Sequence, residues 1–144
     1  MPRDAAYRPT RARRSTGSAA PDQNHPGAQF NLAFAYAQGA GTDQGYAAAA
    51  RWYERAARQG LPPAMINLAI LYEQGDGVER SLIDAYAWYS AAAERGDAGG
   101  KQRAGVLFQQ FSDRDKTRAQ ALAATIAGSL DAATWKSNTD PIKG

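Results

Sequence analysis

A chain of 144 residues, 44% of them hydrophobic, is long enough for one domain with a real core. It contains no cysteine, which excludes disulfides, zinc–thiolate sites and thiol nucleophiles. Its formal charge of +3 resides in residues 1–27, where Arg3, Arg8, Arg11, Arg13 and Arg14 oppose Asp4 and Asp22; the remainder is neutral, so no basic nucleic-acid-binding face is expected on it.

Residues 1–27 are rich in Arg, Ala, Ser, Thr, Gly and Pro, with Tyr7 the one aromatic, and are expected to form a disordered basic tail. No apolar stretch follows the arginines as in a secretory signal, and no uncharged run is free of the polar and turn residues that hydrocarbon rejects. The cytoplasm is the default expectation, with cell-envelope association as the alternative.

From Ala28 to Gln38 apolar residues fall on nearly every side of a helical wheel, the pattern of a helix packed on two neighbours. Gly39 stands where a left-handed residue would end it, and Gly41 adds a second turn position. Residues 45–59 resume with Ala49, Trp52, Tyr53 and Ala56 on one face and Arg51, Glu54, Arg55 and Arg58 opposite, an amphipathic outer helix.

The arrangement then recurs. Pro62-Pro63 leads into an inner helix from Ala64, Gly75-Asp76-Gly77 forms the turn, and Ser81 is placed to cap the next outer helix. Residues 28–60 and 64–96 superpose without a gap at an offset of 36 residues, in the pattern A-x-x-N-L-A-x-x-Y-x-Q-G-x-G, seven variable residues, A-x-x-W-Y-x-x-A-A-x-x-G. Paired Trp-Tyr and Gly-x-Gly in register mark units that stack because none buries its apolar face alone. Trp52 and Trp88 are therefore expected to be buried between helix pairs, and Trp135 to be exposed or loosely docked.

A third unit starts and breaks off. Ala104, Phe108 and Gln110 lie 72 residues beyond Leu32, Tyr36 and Gln38, but the glycine positions are now Phe111 and Asp113. Ser112-Asp113-Arg114-Asp115 approximates a capping box opening a last helix, with Ala119, Leu122, Ala123 and Ile126 on one side and Gly128 as its expected stop. That helix is expected to close the stack over Val106, Leu107 and Phe108. The domain reading is thus a tail at 1–27, a repeat domain at 28–128 (repeats 28–63 and 64–99, partial third repeat and capping helix 100–128), and a flexible tail at 129–144.

This series resembles the Sel1-like repeat, a relative of the tetratricopeptide repeat built from antiparallel helix pairs. The resemblance covers about residues 28–110, with departures where the family's usual Gly after the Leu is Ala33 and Ala69 and its common helix-opening Asp is Gly45 and Ser81. It implies an adaptor or scaffold working through protein–protein contacts, sometimes in bacterial envelope localisation or signalling.

No catalytic constellation, cofactor motif or metal set emerges. His25 is the sole histidine and has no second imidazole or thiol beside it. The carboxylates Glu54, Glu73, Asp84 and Asp97 fall on turns or charged helix faces, where solvated surface is the default. Gly39-Ala40-Gly41 and Gly75-Asp76-Gly77 follow helices and lack the Lys-Ser/Thr of a phosphate loop.

The polar sector of the inner helices carries the candidate site. Asn31 and Gln38 are nearly superposed on the wheel with Phe34 between them; Asn67, Ile70 and Gln74 repeat the arrangement, and Arg103, Val106 and Gln110 stand at the third level. These nine residues form a candidate peptide-binding groove, in which amides donate to and accept from a bound main chain and apolar side chains hold its residues. The structural alternative is that Asn31 and Asn67 tie neighbouring helices. The overall reading is an all-α solenoid of two helix pairs, a third inner helix and a capping helix, serving as a non-enzymatic adaptor for a peptide or protein surface. Self-association through the N-terminal edge is a further expectation. A second reading has the basic tail hold nucleic acid or anionic membrane while the repeats act as a spacer.

Overall fold

The computed structural model of the protein describes residues 25–40 and 43–131. These form helices α1 (Pro26–Ala40), α2 (Asp43–Arg58), α3 (Pro62–Gln74), α4 (Leu82–Glu94), α5 (Ala98–Gln110) and α6 (Asp113–Asp131), with no strand among the described residues. The expectations for the arginine tail, Gly41 and Trp135 lie outside them.

Local chemistry sets the helix ends. His25 Nδ1 accepts the Ala28 N–H at 3.0 Å, and Pro26 occupies the first helical position, where a missing N–H costs nothing. Ser81 and Asp97 cap α4 and α5 by accepting from the backbone N–H groups of Asp84 and Gly100 at 3.1 and 2.8 Å, and Ser112 Oγ accepts from Asp115 N–H at 3.1 Å. The glycine closing each repeat has one job: Gly60 (φ 97°) and Gly96 (φ 95°) are left-handed, with Leu61 N–H returning to Ala56 O and Asp97 N–H to Ala92 O. This crossed pair of bonds lets one helix stop and the next begin within a few residues.

Two glycine expectations are corrected. Gly39 is helical and α1 continues through Ala40; Gly75 (φ 78°), its counterpart, does end α3 in the left-handed conformation. Gly128 does not stop α6, which runs on to Asp131 past the expected boundary and buries Leu130 at 1% exposure. A helical glycine costs about 1 kcal/mol, less than the ~2 kcal/mol returned by burying a leucine.

Packing follows the chain: α1 on α2, α2 on α3, α3 on α4, α4 on α5. Much of the core is alanine, including Ala33, Ala49, Ala56, Ala57, Ala64, Ala69, Ala85 and Ala92, with Tyr53, Met65, Leu68, Trp88 and Tyr89 filling the spaces between helices. Trp88 is buried, and Arg58 of the preceding outer helix lies 5.3 Å above its ring. Trp52 is only half-buried, contrary to expectation; among the described residues no outer helix precedes α2 to cover it, and its own neighbour Arg55 stacks on it at 4.6 Å.

The last helix packs chiefly on α4, with Ala119, Ile126 and Leu130 buried. Its Lys116 lies 5.3 Å over the ring of Phe108, which Tyr86 and Phe111 also flank at ring separations of 5.4 and 6.5 Å, and Leu107 is buried. Val106, expected beneath this helix, stays exposed. Lys101, Gln102 and Gln109 of α5 are exposed, and Lys101 and Ala104 share a hollow with Gln120, Ala123 and Ala124 of α6.

Candidate peptide-binding groove

On α3, Ile66, Ile70, Glu73 and Gln74 recur at helical spacing and so share one face. Gly99 and Arg103 of α5 face them, Tyr89 of α4 forms the base, and Arg80 and Asp97 enter from the turns; together these residues line an open cavity of about 570 Å³.

Glu73 is the hub. Tyr89 Oη donates to its Oε1 at 2.8 Å, Arg103 pairs with its other oxygen, and Arg80 Nε donates to its backbone carbonyl at 3.0 Å. Burial, reinforced by the bond to the Glu73 carboxylate, pushes the Tyr89 hydroxyl up to about 12. The bond to Tyr89 and the charge of Glu73 push the Arg103 guanidinium upward from its ordinary value. Tyr89 thus stays protonated as a donor. The cavity thus combines two isoleucines with fixed charges and a protonated tyrosine.

Among the nine candidate residues, Ile70, Gln74 and Arg103 meet in this cavity. Asn31, Phe34 and Gln38 on α1, and Val106 and Gln110 on α5, are exposed outside its lining. Asn67 is half-buried, and its Nδ2 donates to Tyr53 Oη of the preceding repeat at 3.2 Å, a side-chain tie between neighbouring helices as in the structural alternative. Ile66, Glu73, Arg80, Tyr89 and Asp97 were missed. The available signal was a double change at the 36-residue offset: Glu73 replaces Ala37, and Arg103 replaces Asn67, giving opposite charges on neighbouring inner helices.

Antiparallel helix pairs stacked with a 36-residue period define a helical-repeat scaffold, or α-solenoid. The Sel1 repeat model matches residues 26–61 and 62–97, and the chain belongs to the Sel1 repeat family. Proteins of this family are generally protein-interaction scaffolds, typically without catalytic machinery.

Two solved structures are similar. One, a protective antigen with the Sel1-like repeat fold present in uropathogenic Escherichia coli strains, is 28% identical with a TM-score of 0.71 over 82% of this chain. The other, a Sel1 repeat protein from Oxalobacter formigenes, is 28% identical with a TM-score of 0.59 over 81% of this chain. The chain spans 26% and 52% of the lengths of these two proteins. No curated protein matches it. No described helix is long and apolar enough to cross a membrane, and no group of three or more His, Asp or Glu among the described residues is placed to hold a metal.

Proposed function

We propose that the protein is a non-enzymatic adaptor that holds a peptide segment of a protein partner along its concave, inner-helix side. The observation that carries this reading is the cavity between α3 and α5, where Ile66 and Ile70 supply an apolar floor beneath Gln74, Arg80 and Arg103. An extended peptide would place one apolar side chain on the isoleucines and meet Gln74 with its main chain. Phe34 and Val106 extend the same helical position above and below.

The test is selection of a random twelve-residue peptide library on the intact protein. Peptides that enrich should bind Ile70→Glu at least tenfold more weakly, corresponding to about 1.4 kcal/mol, and Glu54→Gln on the outer face equally well. Failure of any peptide to enrich, or equal binding by Ile70→Glu, removes the groove reading.

A further inference from the structure

The ionised groups of the groove are particular to it. One repeat earlier the counterparts of Glu73, Arg80, Asp97 and Arg103 are Ala37, Gln44, Leu61 and Asn67, all uncharged. There Asn67 and Tyr53 make a neutral bond of 3.2 Å, whereas Tyr89 and Arg103 both meet the Glu73 carboxylate. Stacking of one repeat on the next therefore does not call for charge at these places.

Three of the four groups are already engaged. Both oxygens of Glu73 are taken, by Tyr89 and Arg103. Asp97 is held at the start of α5, where its Oδ1 accepts the Gly100 N–H at 2.8 Å and its charge meets the positive end of that helix. Arg80 differs. Its Nε donates to the Glu73 carbonyl at 3.0 Å, which fixes the side chain at the cavity wall, and its two terminal nitrogens have no partner among the described residues. Around Glu73 two guanidinium groups thus stand against one carboxylate, so this end of the cavity is positive, and Arg80 is exposed for a ligand to reach.

We propose that the groove selects peptide segments in which an acidic side chain stands two residues from an apolar one, the apolar side chain resting on Ile66 and Ile70 and the carboxylate on the terminal nitrogens of Arg80. This deepens the adaptor reading and rests on it. Ile70 and Glu73 are about 4.5 Å apart along α3, and Arg80 begins beyond the Glu73 carbonyl that it binds. An extended chain presents every second side chain to the same face, about 7 Å apart, which matches that span. The guanidinium fork then gives the carboxylate two parallel N–H bonds. Because the cavity is open, the main chain runs on past it, and the carboxylate is that of an internal Asp or Glu and not of a chain end.

The experiment sorts a random twelve-residue peptide library, blocked at both ends, on the intact protein. Enriched peptides should carry Asp or Glu two positions from an apolar residue. Exchanging that acid for its amide should weaken binding about fivefold or more at 0.1 M salt and less at 1 M. This arm needs no protein variant. Arg80→Gln should bind the acidic peptide and its amide equally, Arg80→Lys should keep the acidic preference, and Arg80→Glu should prefer Lys at that position. Enriched peptides that depend on Ile70 but show no acidic preference overturn this proposal and leave the adaptor reading standing; failure of any peptide to enrich overturns both. An acidic preference that persists in Arg80→Gln places the carboxylate on Arg103 and overturns the assignment. So does a peptide whose free C-terminus replaces the acidic side chain without loss.

Discussion

Gly77 lies against the first turn of α2 so closely that a Cβ on it would stand 2.3 Å from the carbonyl carbon of Tyr46. Its φ of +74° is also one that L side chains rarely adopt. The turn of the second repeat is thereby docked on the outer helix of the first. Gly77→Ala is expected to cost about 3 kcal/mol or more, through backbone clash and strain together. Gly75→Ala, where the nearest atom is the Arg80 Cβ at 3.1 Å, is expected to cost only about 1–2 kcal/mol. Urea unfolding of the two variants checks this; equal losses would mean that the turn is not seated against α2.

The hydrogen bond from Asn67 to Tyr53 joins the two repeats. A double-mutant cycle with Asn67→Ala and Tyr53→Phe should return a coupling of about 1 kcal/mol. Asn31→Ala should change stability by less than about 0.5 kcal/mol, as expected of an exposed side chain. Zero coupling in the cycle would deny the bond a part in holding the repeats together.

The two repeat tryptophans should behave unequally. Trp88→Ala empties a buried site and is expected to cost about 3–5 kcal/mol. Trp52→Ala removes a half-exposed ring stacked by Arg55, and a loss well below that of Trp88→Ala is expected. Denaturation midpoints that fall equally would show that the first outer helix is covered after all.

Alkaline stability should report on Tyr89. Its hydroxyl is raised to about 12 in the folded protein against 10.0 for an ordinary tyrosine, so the unfolded chain loses this proton first as pH rises. The stabilisation, roughly 2–3 kcal/mol, is fully present below pH 10 and is lost between about pH 10 and 12. Unfolding free energies measured across that window should fall more steeply for the parent than for Tyr89→Phe. Parallel curves would mean that Tyr89 titrates normally.

The repeat architecture was legible because its signals are periodic: the Trp-Tyr pairs, the closing Gly60 and Gly96, and the caps Ser81 and Ser112 each need only local geometry. Gly39 and Gly128 misled because glycine is tolerated inside a helix at modest cost, so neighbouring burial decides whether it terminates one. The groove was legible only in part. Ile70, Gln74 and Arg103 follow from the wheel, but the hub at Glu73 joins three helices, and Tyr89 resembles any other core aromatic until stacking brings it to the acid. The role of His25 as a cap was not legible, because it depends on the direction its ring takes toward the Ala28 N–H.

Alanine loses no rotamer freedom on burial, so a core in which Ala33, Ala49, Ala56, Ala57, Ala64, Ala69, Ala85 and Ala92 set the helix spacing has few alternative arrangements to explore. Adding even one methylene at these contacts pushes helices apart, and each displacement is passed along the stack to the spacing between Ile70 and Arg103. The shape of the cavity is therefore fixed by the interior. Under the proposed adaptor role, binding there would draw on little induced ordering of the protein, and selectivity would be tuned from the interior as well as from the lining residues.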